Sequence, residues 1–233
     1  MASNSGTNKR RRTAADTLHI SDLPIGFIVD VSAFLSKPSR AILAVALSAP
    51  SSSWQSDNLM HRPSPISAAI TSAQQWDMLD FEDIEKELAN KLTDNDISAV
   101  LKCINAQDVL RRLKLCGCVN ITGRGLNPLR NSIILEQIDI SLIRKYEKPS
   151  YNKPRSKISE EAVVPILDSI ISSDDCSLKY IQFPMKWRAI GMNGIEDNPL
   201  MVLQRRFNAL LSNRAFRGVN CIHCAVRIHP AQN

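Results

Sequence analysis

The segment that decides the fold is Leu110-Arg-Arg-Leu113-Lys-Leu115, whose apolar residues follow the spacing apolar-x-x-apolar-x-apolar. The same spacing returns 25 residues later in Leu135-Glu-Gln-Ile138-Asp-Ile140. Two further copies are Trp76-Asp-Met-Leu79-Asp-Phe81 and Leu178-Lys-Tyr-Ile181-Gln-Phe183, at less regular spacings. Alternation of apolar and polar residues is typical of strands with one buried face. A pattern that recurs along a chain indicates stacked copies of one unit. The sequence therefore predicts four equivalent strands.

Amphipathic helices are predicted between these strands. In the segment 94–104 the residues Ile97, Val100, Leu101 and Ile104 lie at i, i+3, i+4 and i+7, which places them on one helical face. Thr93 precedes this helix and is suited to cap its first turn, where Asp96 places a carboxylate. This alternation of strands and helices predicts an α/β fold.

A second helix is predicted from Ser159 to Ile171, with Ser159 as its cap and Glu160 and Glu161 in its first turn. Pro165 lies inside this segment, and proline removes a helical hydrogen bond. We therefore expect a kink at that position.

Residues 110–129 carry the most specific motif of the chain. They read Leu110-x-x-Leu113-x-Leu115-x-x-Cys118-x-x-Ile121-Thr122-x-x-Gly125-Leu126-x-x-Leu129, which resembles the cysteine-containing leucine-rich repeat of F-box proteins. The resemblance implies a short solenoid of about four strand-helix units over residues 76–185. It also implies that Cys118 is a small buried residue rather than a reactive one. The alternative is a chance amphipathic strand. The predicted repeat core consists of Leu110, Leu113, Leu115, Cys118, Ile121, Leu126, Leu135, Ile138 and Ile140.

The segment 18–50 has apolar residues at helical intervals, interrupted at Ser36-Lys37-Pro38-Ser39, which predicts a helical hairpin. Its spacing Leu23-Pro24-x-x-x-Ile28-x-x-Val31-x-x-x-Leu35 resembles an F-box. The resemblance implies docking onto a Skp-type adaptor of a cullin ubiquitin ligase, with these five residues facing the adaptor. The alternative is a helical cap that shields the open end of the first repeat.

The remaining segments are polar or basic. Residues 1–17 are predicted to be a disordered basic arm, residues 51–75 a linker rich in serine and proline, and residues 186–233 a basic C-terminal segment and tail. Residues 1–17 hold four basic and one acidic side chain, and residues 186–233 hold seven and two. The rest of the chain therefore has a net charge of −2, although the whole chain has a net charge of +6. This argues against a nucleic-acid surface on the central body.

No arrangement typical of an active site or a cofactor site is found in the sequence. His19 lies just after the predicted arm, and the other three histidines fall in the predicted linker or tail. The glycine spacings of phosphate-binding loops are missing. The six cysteines are expected to be reduced thiols. Cys221, Cys224 and His229 supply three plausible zinc ligands, one fewer than a closed structural site needs. We therefore predict a protein that is not an enzyme and that binds neither cofactor nor metal.

The predicted function is a protein-interaction module located in the nucleus, the cytoplasm or both. A protein target would bind the repeat surface. The F-box resemblance implies the substrate-recognition or adaptor-bound subunit of a cullin-type ubiquitin ligase, with a Skp-type adaptor and a cullin as partners. No membrane contact is predicted, because the longest apolar stretch is about half of the roughly 20 residues that span a bilayer. The alternative is a nuclear nucleic-acid-associated scaffold that uses the basic arm and several arginines of the C-terminal segment. These arginines are Arg205, Arg206, Arg214, Arg217 and Arg227.

Overall fold

The computed structural model describes residues 20, 23–48, 65–72, 75–144, 156–173, 175–184, 186–187 and 198–216. Within these ranges the protein combines a small parallel sheet with α-helices and short 3-10 helices, so the α/β class predicted from sequence is confirmed. In the same part of the chain, no helix is both long and apolar enough to cross a bilayer.

The sheet consists of four parallel strands in chain order: β1 (Met78–Asp80), β2 (Arg112–Lys114), β3 (Gln137–Asp139) and β4 (Tyr180–Gln182). Leu79 pairs with Leu113, Leu113 with Ile138, and Ile138 with Ile181. These are the central apolar positions of the four repeated patterns, so the register confirms the alignment made from sequence. Every apolar position of the four patterns is buried, since strands that alternate in this way direct one set of side chains into the core.

Helices connect the strands and cover their apolar side. After β1 come α4 (Lys86–Lys91), α5 (Asp94–Cys103) and α6 (Ala106–Val109), and after β3 comes α7 (Glu160–Ile171). The connection from β2 to β3 contains a 3-10 helix, Arg124–Leu129, instead of an α-helix. The helix α8 (Pro199–Phe216) follows β4 and packs against α7. One continuous core extends from Ala41 to Leu211.

The starts of α5 and α7 agree with the caps predicted from sequence. The N–H of Thr93 donates to Asp96 Oδ2 at 2.8 Å and the N–H of Asp96 donates to Thr93 Oγ1 at 3.5 Å, a reciprocal capping box. At α7, Ser159 Oγ accepts the N–H of Ala162 at 3.3 Å. The helix runs unbroken to Ile171, with Pro165 exposed on its outer side.

Three helices precede the sheet: α1 (Ile25–Ala33), α2 (Lys37–Ser48) and α3 (Pro65–Ser72). They share a small core around Ile28, Ala44 and Ile70. The buried guanidinium of Arg40 donates to the carbonyl oxygens of Ser32, at 2.8 Å, Ala33, at 2.8 Å, and Leu35, at 3.4 Å. A cation at this end of α1 satisfies carbonyl groups that the helix leaves unpaired and favours the helix dipole.

Two segments contain helices that were not predicted from sequence. The predicted linker 51–75 contains α3, because Ile66 and Ile70 lie one helical turn apart and can pack on α1 and α2. The predicted basic C-terminal segment 186–233 contains α8, because Leu200, Leu203, Phe207 and Leu211 form an apolar stripe that joins the main core. The predicted basic arm 1–17 and the cysteine and histidine residues at 221–229 lie outside the described residues.

Candidate protein-interaction surface

The side of the sheet opposite the helices is polar. We call it the sheet face and define it by the outward residues of the four strands. Because neighbouring strands are in register, these residues form two rows across the sheet, one near the amino ends of the strands and one near their carboxyl ends. The first row is Met78, Arg112, Gln137 and Tyr180, and the second is Asp80, Lys114, Asp139 and Gln182.

Two carboxylates at the amino ends of the strands each contact two cations. Asp77 lies 2.6 Å from Lys37 Nζ and 3.6 Å from Arg112 Nη2. The hydrogen bond from Lys37 is the main reason that the pKa of Asp77 is lowered. The Arg112 side chain is 47% exposed, whereas that of Lys37 is 27% exposed.

The second carboxylate of this kind is Glu136. Its oxygens lie 3.1 Å from Arg111 Nη1 and 3.3 Å from Lys179 Nζ. The Arg111 side chain is 62% exposed and that of Lys179 is 48% exposed, whereas that of Glu136 is 28% exposed. At the amino end of the sheet face, Arg111, Arg112 and Lys179 are therefore each more exposed than the carboxylate that they contact. We refer to Lys37, Arg111, Arg112 and Lys179 as the amino-end cations.

At the carboxyl ends of the strands the carboxylates predominate. Lys114 Nζ lies 2.8 Å from Asp80 Oδ2, and this hydrogen bond raises the pKa of Lys114. Asp139 accepts the backbone N–H of Ser141 at 2.9 Å, but burial raises the pKa of its carboxyl group. Burial, followed by the charges of Asp80 and Glu82, raises the pKa of Asp83. We refer to Asp80, Glu82, Asp83 and Asp139 as the carboxyl-end acids.

The β4 end of this row is occupied by neutral side chains. The hydroxyl of Tyr180 donates to Gln182 Oε1 at 2.6 Å, and Gln182 Nε2 donates to Ser141 Oγ at 3.2 Å. These bonds fix the orientation of the Gln182 amide and of the Tyr180 ring beside Lys179. The sheet face thus changes from basic to acidic along the strands and becomes neutral at the carboxyl end of β4.

One group of potential metal ligands lies at the same edge. Oxygen atoms of Asp80 and Glu82 and the sulfur of Cys116 lie within 4.8 Å of one another. Burial, with the nearby carboxylates, raises the pKa of the Cys116 thiol to about 12. A cysteine ligand must be a thiolate. Asp80 is engaged in a partly buried ion pair with Lys114.

The nine predicted repeat-core residues are all buried, from Leu110 to Ile140. The Cys118 side chain is fully buried, and burial raises the pKa of its thiol to about 12. This position fits a small packing residue and disfavours a nucleophile.

The turn that follows β2 is held by one carboxylate of α5. Asp94 accepts the N–H and the hydroxyl of Thr122 at 2.8 and 2.7 Å, the N–H of Gly123 at 3.1 Å and the N–H of Gly125 at 2.7 Å. Burial acts to raise the pKa of Asp94, but these hydrogen bonds outweigh it and the pKa is lowered. The sequence pattern contains Thr122 and Gly125, but it gave no sign of their partner.

The five residues predicted to face an adaptor differ in exposure. Pro24 and Val31 are exposed, whereas Leu23 and Leu35 are partly buried. Ile28 is buried between the helices, with only 3% of its surface exposed, so it is not available to a partner as predicted.

Several large apolar side chains of α1 are exposed, and sequence reasoning singled out only Val31 among them. They include Ile25, Phe27 and Val31, together with Phe34 directly after the helix. Phe34 is 91% exposed and Phe27 is 54% exposed. We call Phe27, Val31 and Phe34 the α1 face. The missed signal was that Phe27, Val31 and Phe34 lie at i, i+4 and i+7, which places them on one side of a helix.

The arginines proposed for nucleic-acid contact are partly engaged within the protein. Arg206 pairs with Asp168 and donates to Ser172 Oγ at 2.9 Å. Arg214 Nη1 donates to the carbonyl oxygen of Leu178 at 2.9 Å, beside β4. Arg205 is exposed, and Arg217 and Arg227 lie outside the described residues. These contacts give Arg206 and Arg214 a structural role in holding α8.

We compared the chain with models of protein families, with curated proteins and with solved structures. None of the three comparisons finds a match.

Proposed function

We propose that the protein is a non-enzymatic interaction module whose four strand-helix units form a short solenoid similar to a leucine-rich repeat. The observation that carries this proposal is the in-order parallel sheet, in which the repeated apolar positions pair directly with one another. Units that stack in this way bury one continuous core and leave a row of outward residues on every strand. The sheet face is then the surface that binds a protein target.

We further propose that the α1 face contacts a Skp-type adaptor, as the F-box resemblance implies. Large apolar side chains grouped on a surface are typical of interaction sites, and the α1 face groups two phenylalanines with Val31. Such a helix can fill an apolar groove of a partner. In this arrangement Ile28 holds α1 on α2 and α3, and the residues beside it make the contact.

The adaptor proposal is tested by measuring binding of a purified Skp-type adaptor to the full chain by calorimetry. The variant Val31→Asp/Phe34→Asp places two carboxylates on the α1 face and should weaken binding at least tenfold. The matched control is Val202→Asp, because Val202 is 42% exposed on α8, far along the chain from α1. Ile28→Asp is not suitable, since it would bury a carboxylate and unfold the helices.

Adaptor binding by the parent protein that is lost only in the α1 variant supports the proposal. Failure of the parent protein to bind, or equal binding by both variants, would show that the F-box interpretation is wrong. The helices α1–α3 would then act as the cap at the first strand. Thermal unfolding of each variant verifies that the sheet remains folded.

A further inference from the structure

The charge pattern of the sheet face points to a particular kind of partner. Four amino-end cations surround two carboxylates, Asp77 and Glu136, so this edge has an excess of positive charge. At the other edge the four carboxyl-end acids surround Lys114. Arg144 also approaches this edge, where its guanidinium donates to the Ile84 carbonyl oxygen at 2.9 Å and is held against the backbone.

The two edges are close enough for one bound segment to contact both. Outward residues two positions apart on a strand are separated by roughly 7 Å, because a strand rises about 3.3 Å per residue. Charges at that distance are only partly screened at physiological salt, where the Debye length is about 8 Å. A bound segment is therefore attracted by one edge and repelled by the other unless its own charges match both.

We infer that the sheet face binds an extended protein segment whose acidic side chains lie on the amino-end cations. The side of the segment that faces the carboxyl-end acids is neutral or basic. The inference rests on the proposed function, because it assigns the partner of the same surface. The segment crosses the strands, so that its acidic residues meet Arg112 and then Lys179. Complementary charges of this kind select the partner and its direction of binding.

A nucleic acid fits this surface less well than such a segment. Its phosphates carry negative charge along the whole backbone, so a strand lying on the sheet face would also meet the carboxyl-end acids. Asp77 and Glu136 further reduce the attraction, since each already contacts two cations. A peptide can place acidic residues on one side only and avoid this repulsion.

The inference is tested with a fluorescein-labelled octapeptide of alternating glutamate and serine, titrated with the full chain at low salt and followed by anisotropy. We expect saturable binding that weakens as salt rises. The variant Arg112→Glu/Lys179→Glu should weaken it at least tenfold. The control Lys91→Glu/Lys102→Glu changes the net charge equally at exposed helical positions and should bind as the parent does.

Three results would overturn the inference: no saturable binding of the peptide by the parent protein, equal loss in the control variant, or tighter binding of an octathymidylate than of the peptide. The last result would assign the sheet face to nucleic acid. Adaptor binding is measured on the same variants. It should be unchanged in Arg112→Glu/Lys179→Glu, so failure of the charge inference is distinguishable from failure of the adaptor proposal.

Discussion

The carboxylate of Asp94, at the start of α5, accepts the backbone N–H of Gly125 at 2.7 Å and so joins this helix to the turn after β2. The backbones of Gly125 and Asp94 are also closely packed, because a Cβ atom placed on Gly125 would lie 2.6 Å from the carbonyl oxygen of Asp94. The space at position 125 thus admits only glycine. The carboxylate of Asp94 is required because it accepts four hydrogen bonds from the turn. Two predictions concern this contact.

Gly125→Ala should lower the free energy of unfolding by about 1 to 3 kcal/mol, the usual cost of forcing extra volume into a packed site. The added methyl group must displace backbone atoms of α5, which cannot move aside as a side chain could. Chemical denaturation measures the change. Gly26→Ala is the control, because a Cβ atom there meets nothing within 4 Å and lies in α1, where alanine favours the helix. Equal stability of the Gly125 variant and the parent would contradict the assigned contact.

Asp94→Asn should remove a pH dependence of stability. The folded pKa of Asp94 is lowered, so its carboxylate stabilises the folded state above its unfolded pKa of about 3.9, and this contribution disappears as pH falls through the folded value. The stability difference between parent and variant should therefore be largest near neutral pH and shrink below about pH 4. Urea denaturation between pH 7 and pH 2.5 measures it. A difference that grows on acidification would mean that the hydrogen bonds do not favour the ionised form.

Leu113→Ala should cost about 2 to 5 kcal/mol of stability, the range for a buried leucine. Leu113 is fully buried and lies at the centre of the β2 register, between Leu79 and Ile138. Leu88→Ala on α4 is the matched control, because Leu88 is 37% exposed and its truncation should cost much less. An unchanged denaturation midpoint for Leu113→Ala would contradict the core position.

Cys116 and Cys118 should resist alkylation in the folded protein at pH 8. Burial raises the pKa of both thiols to about 12, so the reactive thiolate is scarce, and both side chains are shielded from solvent. Peptide mass spectrometry after a brief exposure to iodoacetamide measures the modification at each site. Both residues should become labelled once urea unfolds the chain. Rapid modification of Cys118 in the folded state would argue against its role as a packing residue.

The strands could be predicted from sequence because their signal is local. Each apolar-x-x-apolar-x-apolar segment identifies its own buried positions, and the structure pairs the central residues Leu79, Leu113, Ile138 and Ile181. The caps of α5 and α7 were predictable for the same reason, since Thr93 and Ser159 act on residues within one turn.

The missed features depend on contacts between distant residues. Ile28 belongs to the apolar spacing of α1, yet its burial depends on Ile70 of α3. This helix was not predicted, because the sequence around it is rich in serine and proline. The paired charges of the sheet face join residues such as Lys37 and Asp77, which lie on different elements. No local pattern indicates which side chains of two elements will meet.

Each strand of the sheet has only three residues and pairs with the strand before or after it in the chain. The most distant pairing, of Ile138 with Ile181, closes a loop of 43 residues, and the others close shorter ones. The entropic cost of closing a loop rises slowly with its length. Formation of the sheet therefore does not require contact between the two ends of the chain. In the proposed solenoid, folding can begin at any neighbouring pair of strands and spread outwards. Removal of β4 and α8 should then leave β1 to β3 able to fold at a rate close to that of the parent protein.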